Sequence, residues 1–96
     1  MALELCVLLW ASDGNEERLS EYEDIVLALV PKHGGKVVSR VRSLSDGDGP
    51  LEVQVIHMPD DAALQAYMGD PERLALAGVH REVVARTELL KVRTIV

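Results

Sequence analysis

The sequence predicts a βαββαβ domain, in which a four-stranded antiparallel sheet carries two helices on one of its faces. Apolar segments with strand-like character recur four times, and two segments of helical periodicity separate them. The strongest turn signal, Ser45-Asp46-Gly47-Asp48-Gly49-Pro50, lies between the second and third strands. One domain is expected over residues 1–96, because a chain of 96 residues has material for one small core.

The first part of the chain has the pattern of strand, helix and strand. Leu3 to Trp10 is apolar apart from Glu4, and a cluster of turn residues follows it. From Glu16 onward, apolar residues recur every three or four positions, which predicts a helix that ends near Pro31 to Gly35. Lys36 to Leu44 alternates with period two, so we predict the second strand there.

A hairpin is expected to connect the second strand to the third. Leu51 to Met58 resumes the alternation after the turn signal. If the chain turns near Asp46 and Gly47, two pairs of residues lie opposite each other across the hairpin: Arg42 with Glu52, and Arg40 with Gln54.

The last part of the chain predicts a broken helix and a strand. The helix is expected from Ala62, where Asp60-Asp61 can cap its start, to about Arg86. A break is expected near Gly69, where Asp70-Pro71-Glu72 provides a second helix start. Glu88 to Val96 alternates and is the fourth predicted strand. Right-handed crossovers then place the first and third strands in the centre of the sheet and the other two at its edges.

Period two divides the predicted sheet into two faces. The more apolar set is expected under the helices and comprises Leu3, Leu5, Val7, Leu9, Val37, Val41, Leu51, Val53, Val55, Leu90 and Val92. The opposite set mixes charges with large apolar side chains and comprises Glu4, Cys6, Leu8, Trp10, Val38, Arg40, Arg42, Glu52, Gln54, Ile56, Met58, Leu89, Lys91, Arg93 and Ile95.

This mixed face predicts a homodimer. Charges on the edge strands protect a sheet against aggregation, but they do not explain the apolar residues beside them, which would form an exposed patch in a monomer. We therefore expect a second copy of the chain to cover the face. The residues expected to face the partner are Trp10, Arg40, Glu52, Ile56 and Lys91.

Composition excludes several classes of function. The chain has 10 basic and 16 acidic residues, a net charge of −6, and only three aromatic residues, so nucleic acid is not an expected partner. Cys6 is the only cysteine, which argues against zinc sites built from cysteine pairs and fits a reducing compartment. The apolar start carries Glu4 and lacks a basic leader, and no apolar run has the length of a membrane span. A cytoplasmic location without membrane contact is therefore expected.

Four segments of the chain carry a family resemblance: His33-Gly34-Gly35-Lys36-Val37-Val38-Ser39-Arg40, Leu51-Glu52-Val53-Gln54-Val55, Met58-Pro59 with Ala62 to Tyr67, and Asp70-Pro71-Glu72. With these segments the chain resembles the dimeric α+β barrel superfamily, which has a ferredoxin-like fold, and the resemblance covers nearly the whole chain. It is most specific to one uncharacterised family of that group, related to antibiotic-biosynthesis monooxygenases and muconolactone isomerases. The family often has two glycines after its arginine, where this chain has Val41-Arg42. The resemblance implies two chains that form one barrel, with a ligand pocket between each sheet and its helices.

Histidines are the first candidates for chemistry, because imidazole transfers protons near neutral pH. His57 is expected on the helix-facing side near the end of the third strand, as a pocket base or as a hydrogen-bonded core residue. His80 lies beside Arg81, and together they could bind a carboxylate or enolate, with a surface position as the alternative. His33 is expected to satisfy carbonyl groups at the end of the first helix. The three histidines have no metal-ligand spacing and no nucleotide-binding loop is evident in the sequence, so we expect neither a metal nor a cofactor.

Aromatic residues are the second candidates. Trp10 and Tyr67 could form the walls of an apolar ligand pocket, although packing alone would also explain both residues. Cys6 is interpreted as a small apolar residue rather than as a nucleophile.

Two functions are consistent with these residues. The first is a cofactor-independent monooxygenase, isomerase or cyclase that acts on a small aromatic or polyketide-like molecule and uses His57 or His80 for proton transfer. The alternative is a non-catalytic dimer that binds a small molecule or has an accessory role, since no nucleophile and base constellation is evident. A pocket of about 300 Å³ or more with converging polar groups would favour ligand handling.

Overall fold

Four strands form one antiparallel sheet in the order β2-β3-β1-β4, as the sequence predicts. The computed structural model describes residues 2–44 and 47–95. The strands are β1 (Leu3–Ala11), β2 (Lys36–Arg42), β3 (Glu52–Met58) and β4 (Val84–Val92). The helices are α1 (Glu16–Leu27), α2 (Asp61–Met68), α3 (Pro71–Leu74) and α4 (Ala77–Val83), with a short 3₁₀ turn at Pro31–His33.

The register of the hairpin is the predicted one. Arg42 pairs with Glu52 and Arg40 pairs with Gln54, with an irregularity between Val37 and Ser39. The turn expected near Asp46 lies partly outside the described residues. The cross-strand pairs are therefore confirmed, independently of the geometry of the loop.

The second helical region is divided into three helices, and both expected helix starts are present. The Asp60 carboxylate accepts a hydrogen bond from the backbone N–H of Ala63 at 2.8 Å, and that of Asp70 accepts one from Glu72 at 2.8 Å. The fourth strand begins at Val84 rather than at Glu88. It begins earlier because β1 continues to Ala11, which pairs with Val84.

The predicted division of the sheet into two faces is correct for β1, wrong for β3 and β4, and wrong for β2 from Arg40 onward. Leu5 pairs with both Ile56 and Lys91, and residues directly opposite in antiparallel strands share a face. Because Leu5 is buried under the helices, Ile56 and Lys91 also lie on the helix side. The expected partner-facing positions of Arg40, Glu52, Ile56 and Lys91 are therefore wrong, and only Trp10 of that set lies on the open face.

His57 also lies on the face opposite to the expected one. It pairs with Glu4 and Lys36, so it shares the open face with them rather than the helix side. The open face carries a mostly apolar centre formed by Cys6, Leu8, Val41, Val53, Val55, Leu90 and Val92.

The core lies between the helices and the inner face of the sheet in two clusters. In one cluster, Leu9 packs with Leu19, Tyr22 and Val26 of α1 and with Val83. The other cluster is formed by Leu27, Val30, Ile56, Met58 and Tyr67. The molecule measures 38 × 35 × 16 Å along its principal axes, a thickness that fits one helix layer on one sheet. The second face of the sheet is consequently uncovered in one chain.

The segment after α1 passes very close to β3. A Cβ atom on Gly35 would lie 2.7 Å from the sulfur of Met58 and 2.8 Å from the backbone oxygen of His57. Gly34 has a φ of 80°, which glycine adopts without strain. Glycine is therefore favoured at both positions: at Gly35 because a side chain would collide with β3, and at Gly34 because of its positive φ.

Across the described ranges, every helix is too short or too polar to cross a membrane.

Candidate functional site

A cavity of about 90 Å³ lies between the helices and the inner face of the sheet. Its lining is mainly apolar and includes Leu5, Val7, Leu9, Val26, Leu27, Ile56, Met58, Leu64, Met68 and Leu89. A smaller group of lining residues carries polar atoms: Glu23, Gln54, Tyr67, Arg73, His80 and Thr87. An apolar cavity with a few converging polar groups is typical of a small-molecule site.

His80 is placed in this cavity by α4. Its ring packs edge-on against Tyr22, with the ring centroids 5.7 Å apart. Burial lowers the pKa of His80, and the positive charges of Arg73 and Arg81 lower it further. The imidazole is therefore neutral at neutral pH and can accept a proton.

Tyr67 lies in the wall of the cavity and is almost completely buried. Its hydroxyl donates a hydrogen bond to the backbone oxygen of Val26 at 3.0 Å, which ties α2 to α1. Burial raises the pKa of Tyr67, so the phenol is neutral. The hydroxyl has a structural partner already, and the ring provides the apolar wall.

Arg73 brings a positive charge to the cavity from α3. Its guanidinium carbon lies 5.2 Å from the centroid of the Tyr67 ring, a cation–π contact. One terminal nitrogen donates to the backbone oxygen of Met68 at 3.4 Å. Among the side-chain nitrogen and oxygen atoms that are buried within residues 2–44 and 47–95, only the Nε of Arg73 has no hydrogen-bond partner.

Glu23 connects the cavity to a polar cluster beneath α1. The side-chain nitrogen of Gln54 donates to Glu23 at 2.8 Å and to Glu52 at 3.1 Å. Burial raises the pKa of Glu23, and the negative charge of Glu52 also raises it against the hydrogen bond from Gln54. The raised pKa favours protonation of Glu23 relative to a free carboxyl, and in its protonated form Glu23 could donate a hydrogen bond to a ligand.

The rest of this cluster is centred on Glu52. Arg40 donates to both carboxylate oxygens of Glu52, at 2.8 and 2.9 Å, and the hydroxyl of Ser20 donates to it at 2.7 Å. Burial raises the pKa of Glu52, but the hydrogen bonds from Arg40, Ser20 and Gln54 outweigh that effect and lower the pKa overall. Glu52 is therefore held as a carboxylate by its hydrogen-bond partners, and it does not line the cavity.

The structure brings together only some of the predicted site residues. His80 and Tyr67 line the cavity. Arg81 is exposed and absent from the lining, and His57 lies on the open face. Trp10 donates from its indole nitrogen to the backbone oxygen of Asp48 at 2.8 Å and packs under the guanidinium of Arg86, outside the cavity.

Sequence reasoning missed Glu23, Gln54 and Arg73. A signal for Glu23 was present, since it lies four residues after Leu19 and three before Val26, on the apolar stripe of α1. His33 was expected to bind carbonyl groups, but its Nε2 lies 2.7 Å from a carboxylate oxygen of Asp70. The described part of the chain contains no group of three side chains that could hold a metal ion.

Comparison with known proteins identifies the fold. No protein-family model and no curated protein matches the chain, whereas solved structures do. An uncharacterised NIPSNAP-like domain protein from Burkholderia xenovorans is 8% identical, with a TM-score of 0.78 over 98% of this chain and 85% of that one. A dimeric protein of unknown function with a ferredoxin-like fold from Bacteroides fragilis is 13% identical, with a TM-score of 0.71 over 97% and 96%.

A third similar structure is that of a DABB family protein with a ferredoxin-like fold from Mesorhizobium loti. It is 17% identical to this chain, with a TM-score of 0.69 over 98% of this chain and 97% of that one. The chain therefore has the ferredoxin-like α+β fold of these proteins, and the resemblance inferred from its sequence is confirmed at the level of the fold.

Proposed function

We propose that this protein binds a small, mostly apolar carbonyl compound in the cavity and catalyses a proton transfer on it, as an isomerase or a cyclase does. The observation that carries the proposal is the convergence of His80, Arg73 and Glu23 on one cavity with apolar walls. Apolar surroundings strengthen each electrostatic interaction with a bound ligand.

Each polar group has a chemical role in this proposal. The neutral imidazole of His80 accepts a proton from the carbon next to the ligand carbonyl. Arg73, and Glu23 in its protonated form, are the groups that can donate hydrogen bonds to the oxygen as it becomes an enolate. In a ligand with a carbon–carbon double bond next to the deprotonated carbon, the charge extends along a dienolate. Return of the proton to the far carbon of that dienolate isomerises the ligand and needs no oxidant.

The size of the cavity limits the ligand. A volume of about 90 Å³ is well below the roughly 300 Å³ of a pocket for a drug-sized molecule. We therefore propose a short ligand, or a short reactive end of a longer one, rather than a complete polyketide-like molecule.

The test measures proton exchange on a probe that fits this volume. Purified protein in D₂O is incubated with 2-butanone, and deuterium incorporation next to the carbonyl is followed by proton NMR. We expect the wild-type protein to accelerate the exchange and the His80→Ala variant to lose at least about a hundredfold of that acceleration, the lower end of the range for a general base. His57→Ala is the matched control, since His57 lies on the open face, and it should exchange like the wild type.

Binding without catalysis is the second candidate function. It is favoured by the small volume of the cavity and by the hydrogen bonds that already engage Gln54 and the Tyr67 hydroxyl within the protein. Chemical-shift changes at the cavity on addition of 2-butanone, without accelerated exchange, would support this function and contradict catalysis by His80.

We also propose that the protein acts as a homodimer through the open face of the sheet. Support comes from the mostly apolar centre of that face and from the dimeric Bacteroides fragilis protein with the same fold. Trp10 remains in the proposed interface, joined by Leu8, Val55 and Leu90. A monomer at micromolar concentration in light scattering would contradict the proposal.

A further inference from the structure

We infer that the guanidinium of Arg73 binds the carboxylate of a short, otherwise apolar acid in the cavity. The inference deepens the proposed ligand-binding function of this cavity and rests on it. It names the chemical class of the ligand and the residue that recognises it.

Arg73 has unmet hydrogen-bonding capacity. Its Nε is buried without a partner among the described residues, and its other contacts there are the long one of 3.4 Å to the backbone oxygen of Met68 and one to the side chain of Tyr67. A guanidinium has five N–H donors and no acceptor, and a buried donor without a partner costs free energy. Two neighbouring donors of arginine match the two oxygens of a carboxylate, so an acid satisfies what the protein leaves unpaired.

Arg73 lacks a directly bonded counter-ion in the described part of the chain, where its nearest acidic influence is the carboxyl of Glu23, whose pKa the Arg73 charge lowers. No carboxylate oxygen in that part forms an ion pair with Arg73. Glu23 is hydrogen-bonded to Gln54, and the carboxylate of Glu52 is bound by Arg40. A partly buried charge without a counter-ion is unfavourable, and a bound anion removes that cost.

The size and the apolar lining of the cavity suit a short aliphatic chain. Leu5, Ile56 and Met58 are apolar residues that line the cavity and can contact an aliphatic chain. About 90 Å³ corresponds to roughly three water molecules at their volume in the liquid, which suits a chain as short as that of butanoate. The net charge of −6 opposes non-specific binding of anions, so a preference for an acid points to a local site.

The experiment compares butanoate with 1-butanol, a neutral probe of similar size. Both are titrated into isotopically labelled protein, and binding is followed by proton–nitrogen NMR, including the Arg73 Nε–H signal. We expect butanoate to shift that signal and to bind at least about tenfold more tightly than 1-butanol, as charge-assisted hydrogen bonds allow.

Variants separate a specific site from a general charge effect. Arg73→Met should remove the preference for butanoate over 1-butanol, and Arg73→Lys should retain part of it. Arg81→Met carries the same charge change on an exposed neighbour and should bind both probes like the wild type.

Failure of this inference differs from failure of the proposed function. If 1-butanol and butanoate bind in the cavity with equal affinity, or if Arg81→Met weakens butanoate as much as Arg73→Met does, the inference is wrong and the binding function remains. If neither probe shifts a cavity signal, both are overturned.

Discussion

Arg40 holds the polar cluster beneath α1 together. It donates to Glu52, to the carboxylate of Asp24 at 2.6 Å and to the backbone oxygen of Ser20 at 3.0 Å. Glu52 is almost completely buried, whereas the side chain of Arg40 is 28% exposed. A buried carboxylate that loses its cation strongly destabilises a protein, because its charge is left without compensation.

Replacing Arg40 therefore tests the energetic importance of this cluster. We expect Arg40→Met to lower the free energy of unfolding by about 3 kcal/mol, measured by urea denaturation. Arg42→Met is the matched control, because the side chain of Arg42 forms an ion pair with Glu17. The side chain of Glu17 is 79% exposed, and exposed ion pairs contribute about 1 kcal/mol or less. Equal losses in the two variants would contradict the importance of the Glu52 contact.

Single residues were only partly predictable from the sequence. His80 and Tyr67 were found because their chemical types suit a pocket. Arg73 could not be found in this way, because the break near Gly69 was predictable but the direction in which α3 leaves that break was not. The sequence instead favours Arg81, the arginine beside His80, which is exposed.

At the scale of elements, two segments that carried the family resemblance meet in space. His33, next to the glycines that precede β2, and Lys32 both contact the carboxylate of Asp70, at 2.7 and 2.9 Å. Asp70 also caps α3. This buried side chain therefore fixes the start of α3 against the end of the first helical region.

This arrangement predicts a pH-dependent stability. The hydrogen bonds from Lys32 and His33 hold the pKa of Asp70 well below its usual range. A carboxyl with a lowered folded-state pKa stabilises the fold above its unfolded pKa, near 3.9, and this contribution is lost as the pH falls through the folded value. The difference in unfolding free energy between wild type and Asp70→Asn should therefore shrink as the pH falls from about 5 to about 2.

The control for this pH experiment is Asp61→Asn, a change of the same chemistry at an exposed position in α2. Urea denaturation at several pH values gives both differences. A difference for Asp70→Asn that is constant across the acid range would show that its ionisation does not stabilise the fold.

Strand order and hairpin register were predictable, whereas the register between distant strands was not. The turn residues between β2 and β3 determine which of their residues lie opposite each other. The register of β1 against β3 depends on packing between segments about fifty residues apart, as Leu5 and Ile56 show. Without knowledge of that register, polarity alone favours Val53 and Val55 over Glu52 and Gln54 as the residues of β3 that face the core.

At the scale of the whole molecule, the uncovered sheet face is the feature that one chain does not explain. The structure has one helix layer on one sheet, and Leu90 and Val41 on the open face are more than half exposed. In the proposed dimer, a second copy removes these side chains from water.

A charge at the centre of the open face should prevent this association. We expect Val55→Glu to have the mass of a monomer in size-exclusion chromatography with light scattering, where the wild type has the mass of a dimer, because a buried carboxylate without a partner is costly. Ile25→Glu is the control, since Ile25 is 55% exposed on α1, and it should remain dimeric. A dimeric Val55→Glu variant would place the interface elsewhere.

The polar cluster beneath α1 has one more consequence, which concerns the choice between two arrangements of β3. A shift of this strand by one residue would place Val53 and Val55 under the helices and turn Ile56 and Met58 outward, so it would exchange one pair of apolar residues for another. The shift would also turn Glu52 and Gln54 outward and remove the hydrogen bonds among these residues and their partners. In this chain the buried polar side chains therefore act together with the apolar ones to determine which way β3 faces.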